Sequence, residues 1–203
     1  MISLIIVANG SSERFGQNKM LVKIGNELLI NKTISSFYNI KEIKEIILVS
    51  NKEVFNLIKD KKIILAEGGD TRAESVKKGL ELSKENYVLI HDGARPFVSK
   101  KLIQSIIENL KNYDCVVPTL KVINCLKFIK NNKIKTVNRD FYIQTQTPQG
   151  FKTEIIKRAY SKKNYKNFDD CQLIEKYSNK VKFIDGEESN IKITFRKDLW
   201  GSL

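Results

Sequence analysis

Apolar residues along this chain gather in short unbroken runs, separated by small-residue loops and by segments of helical period. The first run, Leu4 to Ala8, carries no polar alternation and predicts a strand buried on both faces, as in a parallel sheet. Further strands are predicted at Ile43–Val49, Ile63–Ala66, Tyr87–Ile90 and from Cys115 to Val117. Helical spacing marks Glu27–Tyr38, through Leu28, Ile30, Ile34 and Phe37. It also marks Lys52–Lys59, a segment carrying Val76, Leu80 and Leu82, and a helix that Ser99 caps and that runs to Leu110. This strand–loop–helix alternation, five times over, predicts a three-layer α/β fold with a mostly parallel central sheet and right-handed crossovers.

The pattern changes between 122 and 143. Short strand-like runs at Cys125–Ile129 and Lys133–Val137 flank Asn131-Asn132, a hairpin signal. We read this stretch as a β-arm projecting from the sheet. Helices at Thr153–Ser161 and Asp169–Tyr177, a strand at Val181–Ile184 and a returning loop from Gly186 to Ile193 complete the chain. No repeat, linker or low-complexity segment divides it, so one domain over residues 1–203 is expected.

Ligands of an open parallel sheet sit where the loops leave its carboxyl edge. Four such segments carry chemistry: 8–19, 68–75, 91–96 and 145–149. In the first, Gly10 and its small neighbours free backbone N–H groups for an anion, and Arg14 and Lys19 add positive charge. A P-loop is excluded, because Gly10 and Gly16 stand one residue too far apart and Lys-Ser/Thr does not follow. The dinucleotide fingerprint is excluded too, since Ser12 replaces its second glycine. Asp92, directly after a strand, suits a magnesium ion, a ribose hydroxyl or a structural cap. Gly69, Asp70 and Ser75 flank a helix start whose amides suit a base edge, an anion or an ordinary cap. Arg95 is read as tying its loop together, and His91 as supporting one.

With 36 Lys+Arg against 23 Asp+Glu the net charge is +13, open to nucleic acid, a membrane surface or phosphorylated small molecules. The lysines are scattered, with no basic stripe, tail or RNA- or DNA-binding signature, so nucleic acid is not the expected partner. Cys115, Cys125 and Cys171 lack metal or redox spacing and read as reduced thiols. No apolar run reaches membrane length and the N-terminus enters a strand directly, so a soluble cytoplasmic protein is expected.

Six motifs in order resemble the 2-C-methyl-D-erythritol 4-phosphate cytidylyltransferase family over nearly the whole chain. They are Ala8-Asn9-Gly10-Ser11 with Arg14-Phe15-Gly16 and Lys19; Gly68-Gly69-Asp70 with Arg72 and Ser75; and His91-Asp92-Gly93-Ala94-Arg95-Pro96-Phe97. Gln146-Thr147-Pro148-Gln149-Gly150-Phe151, Asp169-Asp170 and Asn190-Ile191-Lys192-Ile193-Thr194 follow. The resemblance implies a Rossmann-like nucleotidyltransferase fold, CTP and a polyol phosphate as substrates, Mg2+ or another divalent cation, and a homodimer exchanging the arm. It places Ala8, Asn9, Gly10, Gly69, Asp70, Ser75, Asp92 and Gly93 around the cytidine, and Arg14 and Lys19 on the triphosphate. Arg139 from the other subunit's arm and Lys192 hold the acceptor phosphate with help from Thr147, and Asp92 is the candidate metal ligand. That chemistry suits the residues: a phosphate acceptor is already an anion and needs no general base, whereas two anions need cations to meet.

The chain also departs from the family pattern. Asn9 replaces an alanine and Ser12 a glycine, and the family's Asp-Thr at the start of the arm becomes Asn124-Cys125. A threonine before the paired aspartates becomes Phe168. The last two changes fall on the acceptor side, leaving open a cytidylyltransferase for another polyol phosphate such as ribitol 5-phosphate. A non-catalytic nucleotide-binding relative and a basic RNA-binding module are further alternatives. Some relatives are fused to a later enzyme of the same pathway. Because the chain ends soon after Trp200, no second catalytic domain is expected within it.

Overall fold

The computed structural model describes residues 1–161 and 169–202. In order they form β1 (Ile2–Val7), β2 (Lys23–Ile24), β3 (Glu27–Leu28), α1 (Leu29–Ser35), β4 (Ile43–Ser50) and α2 (Lys52–Phe55). Next come β5 (Ile64–Glu67), α3 (Arg72–Leu82), β6 (Tyr87–Asp92), α4 (Lys100–Asn109) and β7 (Cys115–Lys121). β8 (Leu126–Lys130), β9 (Lys133–Val137), β10 (Ile143–Thr145) and β11 (Gln149–Lys152) follow, then α5 (Thr153–Tyr160), α6 (Cys171–Ile174) and β12 (Val181–Asp185).

The main sheet runs β10-β7-β11-β6-β1-β4-β5, with β12 also on β7. β1 is parallel to both β4 and β6, and β5 is parallel to β4. The chain therefore moves outward from β1 to β4 and β5, then returns to place β6 on β1's other side. The loop after β1 leads to α1 on one face and the loop after β5 leads to α3 on the other, and a crevice at the carboxyl edge lies between them.

Side-chain alternation along the strands builds a core on each face. Ile2, Leu4 and Ile6 of β1 join Leu29, Ile30 and Ile34 of α1 and Leu102, Ile103 and Ile106 of α4. Ile5 faces the other way, with Val76 and Leu80 of α3 and Ile156, Ala159 and Tyr160 of α5. This is the three-layer arrangement that the unbroken apolar strands predict, since helices cover both faces.

Several boundaries differ from the periodicity. The helix expected over Glu27–Tyr38 occupies only Leu29–Ser35, because Glu27 and Leu28 pair back onto Lys23 and Ile24 across a turn at Gly25. The segment Lys52–Lys59 is helical only through Phe55, and Asp169–Tyr177 only over Cys171–Ile174. In the latter, Asp169 and Asp170 direct their carboxylates to neighbours across the fold. The stretch 145–149 is more than a loop: β11 inserts antiparallel between β6 and β7, with β10 beyond it on the same edge of β7. Alternation there is masked by Gln149 and Gly150, both buried in the sheet.

The hairpin signal at Asn131-Asn132 holds, with both residues at positive φ and β8–β9 forming a two-stranded sheet of their own. Its outward apolar residues include Ile129 and Ile134, and Phe141 beyond the hairpin is 85% exposed. The helix capped by Ser99 is present, its hydroxyl accepting from Leu102 N at 3.0 Å. Phe168 lies outside the described residues.

Candidate active site

The crevice between the loop after β1 and the loop after β5 holds a cavity of about 550 Å³. Ala8, Asn9, Gly10, Lys19, Gly69, Asp70, Ser75, Asp92 and Lys192 all line it, so three of the four loops singled out in the sequence converge there, and the segment carrying Lys192 takes the place of 145–149. Gly93, Arg14, Arg139 and Thr147 do not line it.

Each wall has a local cause. Ala8 is fixed by its N–H on Val49 O at 2.8 Å and by Ser50 Oγ donating to its carbonyl at 2.9 Å. Beyond it the 8–19 loop turns at Ser12, which takes φ 56, and accepts Lys19 N on its hydroxyl at 3.4 Å. Asn18 caps the next turn by accepting from Met20 N at 3.2 Å, and buried Met20 anchors that turn to the core. Lys19 is thereby held facing the cavity. Burial lowers its pKa, and Lys192 and Arg14 push it the same way while Asp92 opposes them. Arg14 stands outside the cavity with its guanidinium 5.7 Å from the Phe195 ring.

On the opposite wall, Thr71 and Glu74 form a reciprocal capping box at the start of α3. Ser75 donates to Thr71 O and accepts Gly69 N, each at 3.0 Å, which fixes the loop carrying Gly69 and Asp70.

The floor is Asp92, 7% exposed at the end of β6. Arg72 Nε lies 3.1 Å from its Oδ1, Lys192 Nζ 2.7 Å from Oδ2 and Arg95 Nε 3.8 Å from Oδ2. Burial alone would raise this carboxyl; Arg72, Lys192 and Arg95 outweigh it and hold it far below the usual range. Arg72 also pairs with buried Asp170 at 2.8 Å, and Asp170 accepts from Tyr160 OH. Its guanidinium is thus a bridge from the cavity floor to α5. Burial disfavours its charge, but Asp170 and Asp92 more than offset that and raise its pKa.

Thr147 has a supporting position. Its hydroxyl accepts from Asp92 N at 3.0 Å and meets His91 Nδ1 at 3.2 Å, while His91 Nε2 faces Arg95 O at 3.0 Å. The Arg95 carbonyl demands a proton on Nε2, so Nδ1 accepts from Thr147. Thr147 is thus buried behind Asp92 and does not line the cavity. Gly93 likewise packs beneath the site, where a Cβ would come within 2.8 Å of Ala8 Cβ.

Lys192 reaches Asp92 because its loop is pinned to the sheet edge. Arg95 Nη1 donates to Asn190 O at 2.7 Å, Asn190 Nδ2 to Thr147 O at 2.9 Å, and Ile193 N to Ala94 O at 2.8 Å. Arg95 is therefore the tie that its sequence position suggests. Arg139 sits on the exposed arm, its guanidinium donating to Ile123 O. Sequence reasoning gave Arg72 no role. The signal available was Thr71, whose capping position puts the next residue at the helix start facing the crevice.

Among the described residues no cluster of three or more His, Cys, Asp or Glu could hold a metal ion. A magnesium ion bound through one carboxylate and substrate phosphates needs no such cage, so Asp92 is compatible with that role. Its two oxygens are already engaged by Arg72 and Lys192. No described helix is long and apolar enough to cross a membrane, and all three cysteines are free.

A family model described as IspD, 2-C-methyl-D-erythritol 4-phosphate cytidylyltransferase, matches residues 2–202. A Clostridium botulinum protein named 2-C-methyl-D-erythritol 4-phosphate cytidylyltransferase is 38% identical, covering 98% of this chain and 96% of its own. A Campylobacter jejuni bifunctional enzyme IspD/IspF is 39% identical over 98% of this chain but only 53% of its own length. The chain thus spans about half the length of those bifunctional relatives. Among solved structures, 4-diphosphocytidyl-2C-methyl-D-erythritol synthase from Anaerococcus prevotii superposes with TM-score 0.88 at 33% identity, covering 99% of this chain and 93% of its own.

Proposed function

The chain belongs to the IspD family, and from that premise we propose that it transfers CMP from CTP to 2-C-methyl-D-erythritol 4-phosphate, releasing pyrophosphate. The observation that carries this reading is the meeting of Lys19, Lys192 and Arg72 with the Gly69–Ser75 loop in one cavity at the carboxyl edge of the sheet.

A phosphate oxygen of the acceptor attacks the α-phosphorus of CTP, and the bond to the bridging oxygen of the leaving pyrophosphate breaks. No proton must be removed from the nucleophile, which agrees with a cavity lined by no histidine. The chain's task is to bring two anions together and neutralise charge spreading over the α-phosphate. Lys19 acts from the wall of the cavity and Arg14 from its outer side. Lys192, held by Asp92, faces the acceptor phosphate. Asp92 is the side chain that would hold a magnesium ion, which when bound would neutralise charge on the triphosphate.

We further propose a homodimer in which the arm of a second copy brings Arg139 to the acceptor. The exposed Ile123, Phe128, Ile129, Ile134 and Phe141 support this, since apolar surface of that extent is ordinarily covered by a partner. A cytoplasmic location is proposed with it, where an exposed free thiol such as Cys125 persists.

Turnover of CTP with magnesium is to be measured side by side on 2-C-methyl-D-erythritol 4-phosphate and ribitol 5-phosphate, following pyrophosphate and the cytidylylated product. Preference for the first supports the reading. Preference for ribitol 5-phosphate moves the acceptor, and no acceptor-dependent pyrophosphate release would leave a nucleotide-binding protein without this activity.

A further inference from the structure

Asn9 stands where the family pattern has an alanine, and its side chain is not idle. Nδ2 donates to Gly69 O at 3.0 Å, tying the first loop to the loop before α3. A carbonyl only accepts, so the amide nitrogen must be the atom that faces Gly69, and the orientation of the whole group follows. The contact is close. A Cβ built on Gly68 would fall 2.2 Å from Asn9 Cγ and Nδ2 and 2.4 Å from its Cβ, so a side chain at position 68 would displace the Asn9 amide.

Asn9 lines the cavity, and its Oδ1 is not among the Asn9 atoms nearest Gly68. It has no hydrogen-bond partner among the described residues. A fixed acceptor in a nucleotide cavity selects for a donor on the base.

We infer that Asn9 Oδ1 reads the nucleobase, accepting the exocyclic amino group of cytosine and opposing the carbonyl that uracil carries at the same position. Asn9 is then a specificity-determining residue, and the inference rests on the nucleotide-transfer reading above. Opposed acceptors leave both desolvated without a proton, the situation that makes hydrogen-bonding sites discriminate more sharply than apolar ones.

The test is binding of CTP and of UTP, measured by calorimetry without acceptor, to the full chain and to Asn9→Ala. Asn9→Ala should lower the ratio of CTP to UTP affinity about tenfold, by weakening CTP while UTP stays the same or tightens. Equal weakening of both nucleotides would show that Asn9 only ties the loops together and would overturn the inference. An unchanged ratio, or a full chain that binds CTP and UTP alike, overturns it as well. Because the readout is a ratio taken on one preparation, a partly unfolded variant does not blur it. Acceptor preference is measured separately, so wrong identification of the acceptor leaves a distinct signature: discrimination between bases intact, turnover on 2-C-methyl-D-erythritol 4-phosphate absent.

Discussion

Lys192 Nζ lies 2.7 Å from Asp92 Oδ2, joining a loop near the C-terminus to the end of a central strand. Asp92 faces Arg72 and Arg95 as well, so a single carboxylate balances three cations around the cavity floor. Asp92→Asn keeps the shape and removes that charge. It should destabilise the fold by about 3–5 kcal/mol, the cost of leaving buried charge uncompensated. Urea unfolding at neutral pH measures this, and an unchanged midpoint would show that the cations do not depend on Asp92. Because the folded carboxyl is held below its unfolded value, its contribution is present above about pH 4 and is lost as pH falls further.

His91 predicts a separate acid effect. Burial brings its pKa to about 4 from an ordinary 6.5. Between those values the unfolded chain binds a proton that the folded chain refuses. Stability therefore falls as pH drops from about 6.5 towards about 4 and levels below that, by about 3 kcal/mol in all. His91→Gln, which retains a donor and an acceptor, should flatten this slope. Unfolding free energies at pH 7.5 and 5 check it, and parallel losses in both proteins would assign the slope to other groups.

Lys19 and Arg14 should matter for rate. Replacing either by alanine should lower turnover by about 10²-fold or more, as for lost charge-stabilising donors. Lys19 has a lowered pKa, so activity should decline on the alkaline side earlier than for an ordinary lysine. Lys19→Arg should carry the charge to higher pH and shift that limb upward. A pH–rate profile with coincident alkaline limbs would argue that the Lys19 charge is not required.

Arg139→Ala and Lys192→Ala should raise the KM for the sugar phosphate while leaving CTP affinity largely intact. If the arm is exchanged, mixing Arg139→Ala with inactive Lys19→Ala should restore some turnover, because a hybrid contains one site with both residues. Equal loss of CTP affinity in these variants would mean that the two subsites are exchanged.

The unbroken apolar strands, the Ser99 cap, the hairpin and three of the four chemically loaded loops were legible along the chain, because each depends on neighbours a few residues away. Asp92, Lys19, Gly69 and Lys192 could be named as candidates for the same reason: motif and strand end lie together in sequence. Other features could not be read this way. β11 was hidden because a strand inserted between two others needs no alternation of its own, and Gln149 and Gly150 carry no strand preference. Arg72 and Thr147 look alike as polar loop residues, yet one lines the cavity and the other is buried behind Asp92.

What the sequence by itself determined was most of the elements of the parallel sheet and the inventory of charges, with the family resemblance carried by six motifs in order. Local propensity and residue spacing are sufficient for the elements and the charges. Only the tertiary structure decided which charges share a cavity, which serve as ties and where the Asn9 amide points. Ion pairs such as Arg72–Asp170 and Lys192–Asp92 join residues from distant parts of the chain, and their geometry exists only once the sheet order has brought those segments to one edge.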